Sequence, residues 1–544
     1  MYDLLIRNGR VIDGSGLPAF RGDVGVAGGK VVEVGELDGP ARRVIDAQGQ
    51  AVAPGFIDNH CHFDAQALWD PLCTFACYHG ATTVINGNCS LGLAPVRPND
   101  QYAAVSMLSR VEAIPLPSLK AGIQDSWETI PEYLDLLDRR LGVNVGALIG
   151  YSAVRRYVMA DAAYSETATP EQIDQMKAII REGIRAGAVG LSFERNPTHF
   201  DVEGRLLPSN SASDEELFAI VQALAEVGAG SIQFGGNERT GLTIELIREL
   251  ARISGRPVIP GLGFNPTRER LEDMEQAMLG GAQIVPTAPP FLEDPQRWTL
   301  GSTNSFDLLP TWLPMIGSPP EEKKRSLHDP ALREKLRAEA ASFAWSTTYV
   351  ANTTLPANQR LNGRSVAAVA QEQGKDPTDA FLDLALEENL GTAFQRFTGA
   401  DPAVKGAILM HPHVMPGLSD GGAHVTRRCD SHFATYLLAY WVREKQMITL
   451  EEAVRKLTFL SASTFGLHDR GLIRPGLAAD IVVFDPDTVS PGGLDYVTDF
   501  PAGAERLRRL PKGVDMTIVN GEVLIEDGAH TGAYPGKVIR SNAR

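Results

Sequence analysis

The pattern of apolar and polar positions changes character twice along the chain. Over the first fifty residues, short runs at 3–7, 10–13, 22–26 and 30–34 alternate or stay apolar, with Asn8-Gly9, Gly14-Ser15-Gly16 and Gly28-Gly29 between them. A period of two marks strands, and glycine and asparagine clusters mark the turns that join them. The same character returns at 476–485 and 514–526, where Val519-Asn520-Gly521-Glu522 puts an Asn-Gly pair at the tip of a hairpin. Such a meander needs another sheet against which to bury its apolar face. Residues 1–55 and 468–544 are therefore expected to meet in one small β-sandwich, a support for what lies between.

Between the termini, short apolar runs alternate with helical ones. Runs at 82–85, 143–149, 189–192, 231–234, 257–262 and 282–286 read as buried strands. Segments 169–186, 214–228, 243–254 and 267–279 carry apolar residues at helical spacing, and Ser213-Asp214-Glu215-Glu216 has the form of a capped helix start. Strand–helix alternation over this length predicts an α/β class, and the number of units favours a (β/α)8 TIM-like barrel over 56–467. Residues of about 287–350 break the alternation. Trp298, Pro310, Trp312, Pro314 and the charged run 321–325 predict an irregular insertion there, a candidate lid.

The chemistry concentrates where the first of these strands runs out, at Gly55-Phe56-Ile57-Asp58-Asn59-His60-Cys61-His62. Side chains two apart on an extended chain share a face, so His60 and His62 can address one ion. Imidazole suits zinc and similar transition metals. In a parallel barrel the functional groups gather at the C-terminal strand ends. Cys89, in Asn86-Gly87-Asn88-Cys89, follows the second strand, and Asp420, in Ser419-Asp420-Gly421-Gly422, follows the last. His199 follows the fourth strand, Gln233 and Asn237 mark the fifth, and His424 lies four residues beyond Asp420. These are candidates to orient Asp420 or to bind substrate. Arg195, Arg239, Arg427 and Arg428 each offer a guanidinium for a carboxylate. Each candidate also has a plainer reading: a loop histidine, a buried thiol, a surface ion pair. A second HxH pair, His411 and His413, brackets Pro412 ahead of the last strand, which favours a loop.

Composition narrows the partners. With a net charge of −16 the chain offers no basic stripe to nucleic-acid phosphates or an anionic membrane. No run of about 18 apolar residues predicts a membrane span. The start lacks a basic stretch leading into an apolar core, so no signal peptide is expected. Five cysteines are few and odd in number, which argues against a disulfide framework and for the cytoplasm. A small-molecule substrate is the expected partner, and a homo-oligomer stays open.

Several of these segments together carry a family resemblance. Ala53-Pro54-Gly55-Phe56-Ile57-Asp58 leading into HxH, the late Ser419-Asp420-Gly421, and Arg474-Pro475-Gly476-Leu477-Ala478-Ala479-Asp480 resemble the amidohydrolase superfamily. Within it, Asn86-Gly87-Asn88-Cys89 followed by Ala94-Pro95 resembles the N-acyl-D-amino-acid deacylase (D-aminoacylase) branch, and the likeness runs nearly end to end. The resemblance implies a metal-bearing β/α barrel with a β-sandwich, and a hydrolase of amide or related bonds. It implies His60 and His62 as paired ligands, and Cys89 as the ligand standing where other relatives use a modified lysine. Asp420 would touch the metal and act as general acid/base. The family's two further histidine ligands belong near the ends of strands five and six. Here those places read Ser231-Ile232-Gln233-Phe234-Gly235-Gly236-Asn237-Glu238 and Pro257-Val258-Ile259-Pro260-Gly261-Leu262-Gly263, with no histidine. The lysine expected after the strand-six histidine, which would hold a substrate carboxylate, is missing too. A single divalent metal, zinc before others, on His60, His62 and Asp420 with Cys89 is the simplest set.

Such a site suits hydrolysis of a weakly electrophilic carbonyl. Asp420 would take a proton from water and pass it to the leaving nitrogen, with His424 or backbone N–H groups steadying the oxyanion. The leading expectation is a metal-dependent hydrolase of a linear N-acyl or N-carbamoyl group, an N-acyl amino acid among the candidates. A hydrolase of a cyclic amide, lactam or ester stays open. So does a catalytically silent small-molecule-binding barrel, which the missing histidines favour.

Overall fold

A computed structural model of the chain describes every residue except 237–239, 264–265, 293–295, 302, 304, 397–399 and 541–544. Its central sheet has six strands: β1 (Phe56–Asp58), β2 (Ala81–Asn86), β3 (Asn144–Gly150), β4 (Gly190–Glu194), β5 (Ser231–Gly235) and β6 (Val258–Pro260). They lie in chain order and every neighbouring pair is parallel. Strands β2 and β3 are buried along their whole length, as parallel strands covered on both faces are. Two short parallel strands, β7 (Thr287–Ala288) and β8 (Met415–Pro416), pair with each other. Single parallel bridges link the chain at β6 to that at β7, at Val258–Ile284 and Gly261–Thr287, and Cys61 to Gly421. The expected barrel is thus one six-stranded ladder with a bridged pair beside it.

The crossovers explain why the sheet is parallel. Helices α1 (Pro170–Ala186), α2 (Asp214–Val227), α3 (Ile244–Ser254) and α4 (Arg268–Leu279) each stand between successive strands from β3 to β7. Thr169, Ser213, Thr243 and Thr267 cap their first turns, each hydroxyl accepting a backbone N–H three residues on. At α1 Gln172 answers Thr169 to complete a capping box.

Both termini enter a single hydrogen-bonded sheet of nine strands. The first fifty-odd residues supply Tyr2–Val11, Phe20–Ala27, Lys30–Gly35, Ala41–Asp46 and Ala51–Pro54; the far end supplies Ile481–Phe484, Val514–Val519, Glu522–Glu526 and Ala529–His530. The ends join where Ile481–Phe484 lies antiparallel between Ala51–Pro54 and Val514–Val519. Asn520 and Gly521, at φ 47° and 81°, make the predicted hairpin turn, whose central residues both need positive φ. The sheet branches at Tyr2–Val11, which pairs in parallel with Ala41–Asp46 through its first half and with Ala51–Pro54 through its second.

The chain between β7 and β8 is more regular than its prolines suggest. Trp298, Phe306, Trp312, Trp345, Phe381 and Phe394 form a separate apolar cluster, with Phe306 stacked on Trp312 at 4.0 Å between ring centroids. Three antiparallel strands, Gln296–Trp298, Thr348–Asn352 and Ala393–Arg396, cross this segment. Pro314 falls in the first turn of the helix Trp312–Gly317, where a missing N–H costs little. Among the described residues no helix is long and apolar enough to cross a membrane.

Asp480 ties the terminal sheet to the central one. Its carboxylate accepts from Asn144 Nδ2 at 3.0 Å, at the start of β3, and from the Asn520 backbone N–H at 2.7 Å, and it pairs with Arg470. Asp480, Asn144 and Arg470 are buried, and burial holds the Asp480 carboxyl above its ordinary value despite Arg470. Asp480→Ala would take the shared acceptor from Arg470 Nη1, Asn144 Nδ2 and the Asn520 N–H, and leave the guanidinium to the more exposed Asp469. A destabilisation of about 3–5 kcal/mol is expected, read as a lowered midpoint of urea unfolding.

Candidate metal centre

The end of β1 sets the first two ligands. A β-carbon on Gly55 would lie 2.1 Å from Thr82 Cγ2, so only glycine lets the chain entering β1 run this close to β2. Beyond β1, His62 N–H donates to the Gly421 carbonyl at 2.7 Å, and Asp420 N–H donates to the His60 carbonyl at 3.2 Å. Ser419 Oγ donates to Asp58 Oδ2 at 2.7 Å and accepts from Gly421 N–H at 2.9 Å. The segment after β8 is thus laced to the one after β1. Cys89, Asp420 and His424 have positive φ, at 54°, 47° and 51°. Non-glycine residues hold that conformation at a cost on the order of 1–3 kcal/mol each, only where neighbours impose it. For Cys89 one such neighbour is Gln233, whose Oε1 accepts from the Cys89 N–H at 3.1 Å.

Three ligand atoms converge, and an Asp420 oxygen stands beside the two imidazoles. His60 Nε2 stands 3.4 Å from Asp420 Oδ1 and 3.5 Å from Cys89 Sγ, and His62 Nε2 stands 3.9 Å from Asp420 Oδ1. The ligand atoms of His60, His62 and Cys89 lie within 4.8 Å of one another. A tetrahedral ion bonded at about 2.0–2.3 Å holds its ligand atoms roughly 3.3–3.8 Å apart; His60 with Asp420 and His60 with Cys89 have that spacing, and imidazole, thiolate and carboxylate are the donor types such an ion takes.

The electrostatics agree. Burial pushes the His60 and His62 imidazoles below their usual value, so both are neutral and present lone pairs. Around them burial pushes the carboxyls of Asp58 and Asp64 up to about 7 and that of Glu194 up to about 8. Glu112 is raised well above its ordinary value, by burial first and the nearby Asp420 next. A divalent cation among these groups would favour their ionised forms and offset the burial.

Comparison with known proteins gives the family. Residues 43–525 match the Amidohydrolase family. The chain belongs to the amidohydrolase family. Relatives that it resembles are a D-aminoacylase of Alcaligenes xylosoxydans xylosoxydans, 29% identical over 100% of this chain and 98% of its own, and an N-acyl-D-glutamate deacylase of the same organism, 28% identical over 99% and 97%. Among solved structures, a D-aminoacylase superposes with a TM-score of 0.68 at 26% identity, covering 99% of this chain and 100% of its own. An N-acyl-D-glutamate deacylase from Bordetella bronchiseptica, complexed with zinc and a phosphonate inhibitor, gives 0.68 at 25%, covering 99% of each. This amidohydrolase therefore lies in the D-aminoacylase-like branch, is a metal-binding hydrolase of C–N bonds other than peptide bonds, and has the branch's mixed α/β fold.

Other polar residues of the amidohydrolase surround the cluster unevenly. Asp420 directs Oδ1 to the two imidazoles while Oδ2 pairs with Arg428. His424 is buried, its N–H donates to the Glu112 carbonyl, and its Nε2 stands 3.5 Å from Glu112 Oε2. Glu112 Oε1 lies 3.6 Å from His62 Nε2, so this carboxylate joins His424 to the cluster. Its place just beyond the helix Gln101–Val111 carries no signal in the sequence. His199 lies 3.8 Å from Glu194, the last residue of β4, and burial pushes its imidazole down to about 4. The strand-end rule points to Glu194 as it does to the arginine and histidine that follow it. Arg195 requires a correction: its guanidinium pairs with the half-exposed Asp214 at 2.6 Å and donates to the Ala212 and Gly241 carbonyls, so it clamps a helix start and not a substrate. Asn237 and Arg239 lie outside the described residues.

Gln233 serves the cluster through the Cys89 backbone. Gln233→Leu keeps the volume and removes the acceptor, so metal affinity is expected to fall by about 10–100-fold with the fold retained. Competition against a chromophoric chelator measures the first, and circular dichroism the second.

Proposed function

We propose that this amidohydrolase holds a single divalent ion, zinc before others, on His60, His62, Cys89 and Asp420, and hydrolyses the amide of an N-acyl amino acid or a related N-carbamoyl compound. The observation that carries the reading is the divided Asp420 carboxylate, one oxygen toward both imidazoles and the other paired with Arg428. The near full-length likeness to deacylases of N-acyl-D-amino acids supports the substrate class. Pairing of β7 with β8 and the Cys61–Gly421 bridge support an eight-stranded barrel with this cluster at its mouth, and residues 1–55 with 468–544 as a supporting β-domain.

A divalent ion held there would supply Lewis acidity, lowering the pKa of water to about 7 and polarising the scissile carbonyl. The chain's own residues do the rest. Arg428 fixes the Asp420 rotamer and keeps Oδ1 at the cluster, where it accepts the proton of the attacking water. The same oxygen then delivers that proton to the leaving nitrogen. Glu112 and His424 wall the site on the His62 side and exclude water there.

Arg428 also lines a cavity of about 850 Å³, shared with Phe291, Arg297, His432, Tyr436 and Lys512. That volume suits a small substrate, and its wall joins cations to aromatic rings. A carboxylate with an apolar acyl group is the complementary ligand.

Asp420→Asn is expected to lower kcat by about 10²–10⁴-fold while most of the metal stays bound, measured by single-substrate kinetics beside elemental analysis. Chelation is expected to abolish turnover and added zinc to restore it. A panel of N-acetyl-D-, N-acetyl-L- and N-carbamoyl amino acids against cyclic imides and lactones tests the substrate class. Turnover confined to the cyclic compounds, or untouched by chelation, would overturn the reading.

A further inference from the structure

Strands β4 and β5 pair in parallel, and their last residues, Glu194 and Gly235, stand opposite each other. A β-carbon built on Gly235 would lie 1.5 Å from Glu194 Oε2 and 2.6 Å from its Cδ. The carboxylate therefore fills the space into which any side chain at 235 would project, and glycine alone leaves that space open. Glu194 is only 3% exposed, and Oε2 is buried with no hydrogen-bond partner among the described residues. His199 Nδ1 stands 3.8 Å from Oε1, beyond hydrogen-bond range, and is itself buried without a partner. Asn196 and the Cys89 thiol hydrogen-bond the carboxylate, with Oε2 still the unsatisfied oxygen.

A buried carboxylate oxygen without a donor is one of the least favourable groups a protein can hold, unless a cation completes it. Here it lies beside the Cys89 thiol, whose Sγ is 3.5 Å from His60 Nε2. We propose that Glu194 is a ligand of the metal centre, reaching in from β4 through the gap at Gly235, where the sequence after β5 carries no histidine. The ion is then held by two imidazoles, one thiolate and two carboxylates, with His199 behind Glu194 as the partner that orients it. The inference rests on the metal-centre reading above.

The test uses the full chain loaded with cobalt(II), read by its visible spectrum, by bound stoichiometry after dialysis, and by competition with a chelator. Glu194→Gln, which is isosteric, is expected to weaken binding more than 10-fold and to shift the cobalt bands. Gly235→Ala is expected to do the same by expelling the carboxylate. Adding Gly235→Ala to Glu194→Ala should then cause little further loss, because both changes remove one interaction. Glu194→Ala with Gly235→His places an imidazole in the vacated space and should recover affinity, with a spectrum typical of more nitrogen. If Gly235→Ala does not fold, Glu194→Gln alone decides. A Glu194→Gln protein with the wild-type spectrum and affinity overturns the role of Glu194 and leaves the metal centre standing. A wild-type protein that takes up no cobalt overturns both.

Discussion

Two backbone hydrogen bonds, Asp420 N–H to the His60 carbonyl and His62 N–H to the Gly421 carbonyl, hold the candidate metal centre of this molecule together. They join segments at opposite ends of the central architecture; the Ser419 hydroxyl that reinforces them bonds to Asp58 across 361 residues of chain. Without them the imidazoles after β1 and the carboxylate after β8 would share no common focus. Because the bonds are made by the backbone, they constrain the direction of each side chain more tightly than a side-chain contact would. The positive φ of Asp420 follows from this lacing, since the chain must turn sharply to meet His60 and still aim its carboxylate inward.

The second constraint is electrostatic. Asp58, Asp64, Glu112 and Glu194 are all buried within a few residues or contacts of the cluster, and burial raises each of their carboxyls. Arg428, itself buried, pairs with Asp420 and so answers one negative charge of several. Neutral imidazoles add none. A site of this composition favours a bound cation for the same reason that it destabilises a bare carboxylate: low polarisability leaves charge unscreened until an opposite charge arrives. Catalysis and metal retention thus draw on one source, the burial of carboxylates around two histidines.

Much of the scaffold was legible along the chain because its signals are local. The capped starts of α1 to α4 depend on a hydroxyl and the backbone three residues away, and the hairpin at Asn520-Gly521 on two residues that tolerate positive φ. His60 and His62 share a face because they are two residues apart, whatever surrounds them. The segment around Trp298 to Phe394 was harder to read. Its prolines and charges look irregular in series, while its order comes from aromatic rings that meet only in space.

The sequence by itself determined the strand–helix alternation, the paired imidazoles and the residue types present at each strand end, since periodicity, capping and turn chemistry act within a few positions. Tertiary structure alone decided which polar groups face the cluster. It sent Arg195 outward to Asp214, brought Glu112 in from beyond a helix, and let the Glu194 carboxylate stand where Gly235 has no side chain. The reason is physical: a side chain's role depends on the space and charge around it, and in a parallel fold those come from neighbours far away in the chain.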